Sequence, residues 1–230
     1  MSTASAEPRA GAARRRGGDP GQWRRERLAR SRLYVVTDAR RGRGDLEDFL
    51  EAILDAGTDI IQLREKDAEG ADLLQWGEAF AAAAQRHGAL FIMNDRPDVA
   101  VALEADGVHV GQNDLPPAVT RRLVGPAMLI GLSTHSEDQL RGASPQADYV
   151  CIGPVYETPS KPGRPAVGVH LVRVAAAHEQ RPWFAIGGID PETLGSVVSA
   201  GAGRIVVVRA VTEALDAAKA VRRLLAALPA

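Results

Sequence analysis

The stretch Asp148–Gly168, DYVCIGPVYETPSKPGRPAVG, decides how the chain is read. Its first part, Tyr149, Val150, Cys151 and Ile152, is apolar or β-branched without polar alternation, the pattern of a strand covered on both faces. The run breaks at Gly153-Pro154 into a loop holding Pro159, Pro162, Gly163 and Pro165. Proline fixes φ and glycine admits unusual φ, so this loop is shaped as well as exposed. Inside it Thr158, Ser160 and Lys161 set two hydroxyls and an ammonium at the mouth of a strand. Such groups suit phosphate binding, and none of them is a general base.

Outward from that stretch the same unit recurs. From Leu33 a short apolar strand, a polar or glycine-rich corner and an amphipathic or Ala-rich helix alternate eight times. The strands are expected at Leu33–Thr37, Asp59–Leu63, Leu90–Met93, Gly107–Val110, Leu129–Leu132, Asp148–Ile152, Trp183–Ile186 and Arg204–Val208. Helices are expected near Leu46–Ala56, Ala71–His87, Pro97–Glu104, Pro116–Leu123, Ser136–Arg141, Val169–His178, Pro191–Ala200 and Val211–Ala227. Asp95 with Pro97, and Asp190 with Pro191, resemble N-cap pairs. Alternating βα units imply a parallel sheet with right-handed crossovers. Eight of them in about 200 residues imply a small α/β (β/α)8 TIM barrel. The alternative is an open doubly wound sheet, but no G-x-G-x-x-G follows the first strand to support it.

Composition bounds the rest. The chain has 230 residues, 45% hydrophobic but only 4% aromatic, so the core is expected to be Val, Ile, Leu and Ala. Residues 1–32 carry nine Arg against Glu7, Asp19 and Glu26, a balance of +6, which leaves −7 for the remainder of a chain of net charge −1. That segment is expected to be a basic, disordered tail, with residues 33–230 as the catalytic barrel. Two other readings of it stay open: a helical start around Trp23–Arg30 packed on the bottom of the barrel, and a basic arm for nucleic acid. No apolar h-region follows the arginines, and no run approaches the roughly 20 residues of a membrane span. One cysteine, Cys151, fits a reducing compartment, and a cytoplasmic location is expected with neither membrane nor nucleic acid as partner. There are 25 Arg but only three Lys, and two of those, Lys66 and Lys161, fall just after expected strands, where a compact point charge and a wide planar fork are not equivalent.

In a (β/α)8 barrel the active site lies where the strands end. After the second strand, alternation puts Gln62, Arg64 and Lys66 on one face, an amide and two cations that need an anion or solvent. After the third and fourth come Asn94-Asp95 and His109, Gly111, Gln112, Asn113 and Asp114. Asp95 either caps the helix near Pro97 or joins Asp114 in holding a hard cation such as Mg²⁺. His109 reads as a packed or hydrogen-bonding histidine, since one cysteine makes no zinc site with it. Ser133-Thr134-His135 offers hydroxyl donors to a ligand, or a helix cap from Thr134 or Ser136. Gly187-Gly188 and Val208-Arg209 follow the seventh and eighth strands, where barrels commonly bind phosphate through backbone N–H groups. Two anion regions result. Arg64, Lys66, Lys161 and the carboxylate pair suffice for a diphosphate, and the last two corners with Thr158 and Ser160 suffice for one phosphate. No activated nucleophile stands out, and no G-x-S-x-G accompanies the Ser and His residues.

These residues resemble the thiamine-phosphate synthase family. The similarity runs from about Leu33 to Leu225 through YVVTD at 34–38, QLREKD at 62–67, NDRPDVA at 94–100, DGVHVGQNDLP at 106–116, GLSTHS at 131–136, GPVYETPSKPGRPAVG at 153–168 and AIGGID at 185–190. The resemblance implies condensation of hydroxymethylpyrimidine diphosphate with a thiazole phosphate, giving thiamine phosphate and diphosphate. By resemblance Gln62, Leu63, Arg64, Glu65, Lys66 and Asn94 hold the pyrimidine diphosphate, and Asp95 and Asp114 bind Mg²⁺. Ser133 and Lys161 lie on the diphosphate side and, with Arg64 and Lys66, make the catalytic set. Thr158, Pro159, Ser160, Gly188, Val208 and Arg209 hold the thiazole phosphate, with His109 near the thiazole. The family usually has Ser at 209 and often Gly at 204, where this chain has Arg. The partners implied are these two small molecules; the sequence leaves a homo-oligomer open. A thiazole tautomerase of the same fold and a non-catalytic phosphate-binding barrel are the rivals, and neither calls for the full diphosphate and metal constellation.

Overall fold

The computed structural model describes residues 19–158 and 165–229. Its apolar runs become eight parallel strands: β1 Leu33–Thr37, β2 Ile60–Leu63, β3 Leu90–Asn94, β4 Gly107–Val110, β5 Leu129–Thr134, β6 Tyr149–Ile152, β7 Trp183–Ile186 and β8 Ile205–Val207. Each strand pairs with the next, and Leu33 opposite Ile205 and Tyr34 opposite Val206 close the barrel. The helices are α1 Pro20–Arg30, α2 Leu46–Asp55, α3 Gly70–His87, α4 Pro97–Ala102, α5 Pro117–Val124, α6 Glu137–Arg141, α7 Gly168–His178, α8 Leu194–Ser199, α9 Arg209–Thr212 and α10 Ala217–Ala227. Their apolar spacing explains their packing: in α2, Phe49, Leu50, Ile53 and Leu54 form one buried stripe.

Strand alternation divides the core in two. In β1, Leu33 and Val35 face the helices, while Tyr34 and Val36 point into the barrel. The outer layer is mostly aliphatic, as composition suggests. In the inner one Tyr34, Tyr149 and Phe184 meet edge to face among aliphatic residues, with centroids 5.7 to 6.2 Å apart. These three add volume inside the barrel, while Phe49, Phe80, Phe91 and Trp183 pack in the outer layer. Gly131 makes room for them, since a Cβ there would lie 2.2 Å from the Tyr149 ring and 2.4 Å from His109 Nδ1.

The foot of the barrel is built from charge. Asp59, Asp106 and Asp148 each precede an even-numbered strand, and each accepts from the backbone N–H of a residue starting or entering the preceding odd strand: Leu33, Phe91 and Ile130. Each also meets an arginine, Arg27 at 2.9 Å, Arg24 at 3.1 Å and Arg121 at 2.6 Å. Arg24 and Arg27 belong to α1, so for residues 20–30 the structure shows the helical start in place of the expected tail, while the tail expected over residues 1–18 lies outside the described residues. Asp19 caps that helix on Gly21 N–H, Pro20 follows it, and Leu28 is buried against the inner core. Arg204, at the foot of β8, donates to Ala29 O and Ser31 O at the C-terminal end of α1. That favourable charge at a helix C-terminus accounts for Arg at this position.

Two other expectations change. Val211–Ala227 is two helices, because the Asp216 carboxylate accepts from Lys219 N–H at 2.8 Å and starts α10 afresh. Asp95 does not cap α4: the N-cap position is Arg96, with no side-chain cap bond. Among the described residues no helix is long and apolar enough to cross a membrane.

Candidate active site

A cavity of about 700 Å³ opens at the C-terminal ends of the strands. Its apolar walls include Val36, Ile186 and Val206, which close the barrel interior below it. Its polar lining includes Gln62, Arg64, Asn94, His109, His135, Thr158 and Arg209. The sequence-expected residues from β2, β3, β4, β7 and β8 therefore do converge on one mouth.

At the rim, Asp95 adopts φ 59°, a left-handed conformation uncommon for a residue with a Cβ. This turns its carboxylate to Asp114 rather than to the helix start. Asp114 is itself fixed by accepting from Gly111 N–H at 2.8 Å. Burial, then the hydrogen-bonded contact with Asp114 and its charge, push the Asp95 carboxyl up to about 6, against opposing pulls from the Asn94 amide and Lys66. Two carboxylates held together beside an amide fit a hard divalent cation that keeps part of its water. Among the described residues no group of three or more His, Cys, Asp or Glu is placed to hold a metal. A cation at this pair would therefore complete its shell with water and ligand oxygens.

The residues of the QLREKD corner split by alternation. Arg64 reaches the cavity, Lys66 is exposed near Asp95, and among the described residues neither has a salt-bridge partner. Leu63 and Glu65 turn the other way. Leu63 is buried in the outer core, and Glu65 accepts from Ala39 N–H at 3.1 Å, tying two strand-end loops together. Their side chains therefore support the corner instead of lining the cavity.

Ser133, on β5, is buried beside His109, whose Nε2 lies 2.9 Å from Ser133 Oγ. Thr134 instead bonds to Cys151 O, and the helix cap is made by Ser136 on Gln139 N–H. His135 Nδ1 donates to Gly153 O at 2.6 Å. Opposite, Gly187 and Gly188 line the cavity, and Gly188 has φ 64° with space for no Cβ: one would lie 2.7 Å from Tyr156 Cβ. Bare backbone there lets an anion approach closely. Val208 precedes the short turn α9, whose first N–H, that of Arg209, a helix leaves unpaired. The Arg209 side chain is half-exposed, 3.9 Å from Glu213. Lys161, Pro159 and Ser160 lie outside the described residues.

Sequence reasoning passed over Tyr34 and Tyr149, which it read only as apolar strand residues, and Asp38, Arg40 and Arg43, which line the β1 side of the mouth. Arg40 is held by Asp45 through two 2.7 Å bonds and stacks on Phe49. Its signal in the sequence is a guanidinium in the first strand–helix corner, after β1.

A parallel barrel with an acidic pair, cations that have no salt-bridge partner among the described residues and a glycine corner at its mouth suits phosphorylated small molecules, and the comparisons narrow the class. The sequence profile of the thiamine monophosphate synthase family matches residues 33–211, and the chain belongs to that family. It is 51% identical to the thiamine-phosphate synthase of Acidothermus cellulolyticus over 206 residues, covering 88% of this chain and 97% of that protein. It is 52% identical to that of Mycobacterium tuberculosis over 216 residues, covering 89% and 97%. Among solved structures, a thiamine phosphate pyrophosphorylase from Pyrococcus furiosus superposes with a TM-score of 0.78 at 31% identity, covering 88% of this chain and 96% of that one.

Proposed function

We propose that this chain joins hydroxymethylpyrimidine diphosphate to a thiazole phosphate, forming thiamine phosphate and releasing diphosphate. The observation that carries this is the Asp95–Asp114 pair, with Lys66 near it and Asn94 joining it to the cavity that Arg64 and the Gly187-Gly188 corner also line. A tautomerase or a binding-only barrel needs the second region but not the first.

The chemistry asks little of a general base. The pyrimidine 4-amino group donates electrons toward the methylene carbon, so the C–O bond to diphosphate breaks with both electrons leaving on oxygen. The thiazole nitrogen then supplies its own lone pair to that carbon. Catalysis is leaving-group neutralisation, positioning and exclusion of water. In this reading Arg64, Lys66 and Lys161 neutralise the diphosphate, and Gln62 and Asn94 orient the pyrimidine. Thr158, Ser160, Gly188 and the Arg209 N–H hold the thiazole phosphate. Asp95 and Asp114 would hold Mg²⁺, which supplies charge neutralisation to the diphosphate oxygens when bound. The apolar walls keep water from the electron-poor carbon.

The test is diphosphate release by the purified chain with Mg²⁺ and pyrimidine diphosphate, with and without thiazole phosphate, while thiamine phosphate is followed. Release matched by thiamine phosphate, and requiring both substrates and Mg²⁺, is expected. Thiazole phosphate binding without release would overturn the reading in favour of a tautomerase or a binding barrel.

A further inference from the structure

Five buried side chains from five strands form one hydrogen-bonded line beneath the cavity. Gln62 Nε2 bonds to the Tyr34 hydroxyl, Tyr34 to the Tyr149 hydroxyl at 3.2 Å, Tyr149 to His109 Nδ1 at 3.3 Å, and His109 Nε2 to Ser133 Oγ at 2.9 Å. Such a line has a direction. An amide nitrogen only donates, so Tyr34 oxygen accepts and its proton turns to Tyr149. Tyr149 then donates to His109 Nδ1. A neutral imidazole accepting at Nδ1 carries its proton on Nε2, and that N–H donates to Ser133. Ser133 is left with its own proton to offer outward. Burial keeps both phenols protonated, far above their ordinary range, so neither end of the Tyr34–Tyr149 bond loses its proton. The packing protects the line: Gly131 leaves no room for a side chain between Tyr149 and His109.

We propose that Tyr34 and Tyr149 are positioning residues for the reaction: the line they complete fixes His109 as the Nε2–H tautomer and makes Ser133 a hydrogen-bond donor to an acceptor oxygen of the ligand. This rests on the proposed condensation and on Ser133 facing the diphosphate side, as the family resemblance implies. The reverse polarity would make Ser133 donate to His109 and accept from the ligand, which suits no diphosphate oxygen.

Two measurements test it. The first reads the imidazole ¹⁵N shifts of ¹⁵N-histidine-labelled wild-type protein near pH 7.5 without substrate, with a His109→Asn variant to assign the signal. Protonated Nε2 and bare Nδ1 at His109 are expected; the opposite tautomer overturns the proposal, and the result does not depend on whether the condensation reading holds. The second compares Tyr149→Phe, which keeps the ring and removes the hydroxyl. Its His109 signal is expected to become a tautomer mixture, with kcat lowered about tenfold and KM for pyrimidine diphosphate changed far less. A folded variant with the wild-type tautomer and wild-type kcat overturns the positioning role. Should the variant not fold, the wild-type spectrum alone decides.

Discussion

Replacing Asp114 by Asn should stabilise this protein while abolishing the Mg²⁺-dependent turnover proposed for it. Raising the Asp95 carboxyl from 3.8 to about 6 is roughly two pKa units, or about 3 kcal/mol of preference for the protonated form. Burial is the largest cause, Asp114 comes next, and a half-buried carboxyl is screened by solvent. The share owed to Asp114 is therefore about 1 kcal/mol. The sign follows from linkage. A folded-state pKa above the unfolded value means the native state holds the proton more tightly, so this group lowers stability as pH rises from about 4 to about 6. Above that the deficit is complete. Asp114→Asn keeps an oxygen for Gly111 N–H and removes the repelling charge. With a chelator at pH 7.5 the variant should melt about 2–4 °C above wild type. Near pH 5, where Asp95 is already mostly protonated in the wild type, the gain should shrink. Added Mg²⁺ should raise the wild-type melting temperature and leave the variant unchanged. A folded variant that melts lower at pH 7.5, or that responds to Mg²⁺ as the wild type does, would refute the pairing of these carboxylates.

Gly188→Ala places a Cβ at φ 64° and 2.7 Å from Tyr156, so KM for thiazole phosphate should rise about tenfold or more with KM for the diphosphate substrate little moved; equal KM values for wild type and variant would remove the corner from the phosphate site. Deleting residues 1–32 takes Arg24 and Arg27 from Asp106 and Asp59, and the urea midpoint should fall by the equivalent of about 3 kcal/mol or more. An unchanged midpoint would show that α1 adds nothing. Gly131→Ala crowds Tyr149 and His109, and should lower both melting temperature and turnover by overpacking, about 1–3 kcal/mol; a variant as stable and active as wild type would mean that the barrel interior yields there.

The strand–corner–helix alternation was legible because each unit is local: apolar runs of period two or none, then periodic helices, with boundaries that shifted by up to three residues, as where α8 begins at Leu194, after Thr193 at the N-cap position, rather than at Pro191. The mouth was legible because barrel geometry turns every strand end into a site position. What escaped is non-local. Helix α1 has little apolar periodicity, and besides buried Leu28 its hold on the barrel includes Arg–Asp pairs 32 and 82 residues apart in sequence. Asp19-Pro20 was the available sign, the same cap pattern recognised at Asp190-Pro191. The split after Thr212 hung on one carboxylate, that of Asp216. Asp95 stayed ambiguous because capping and cation binding ask for the same residue type. Its backbone conformation favours the contact with Asp114. The tyrosine hydroxyls carried no pattern of their own, since beyond each other their partners come from two other strands.

The charged foot of the barrel fixes where the chain enters and leaves. Helix α1 crosses the strand starts, and Arg32 bonds to Pro229 O at 3.1 Å, so Asp19 and Pro229 both lie at the end remote from the cavity. A fused domain, an affinity handle or a surface tether attached through either of those segments therefore hangs from the blind side. Immobilised this way, the protein presents its open face outward, and small substrates reach it as they do in free solution.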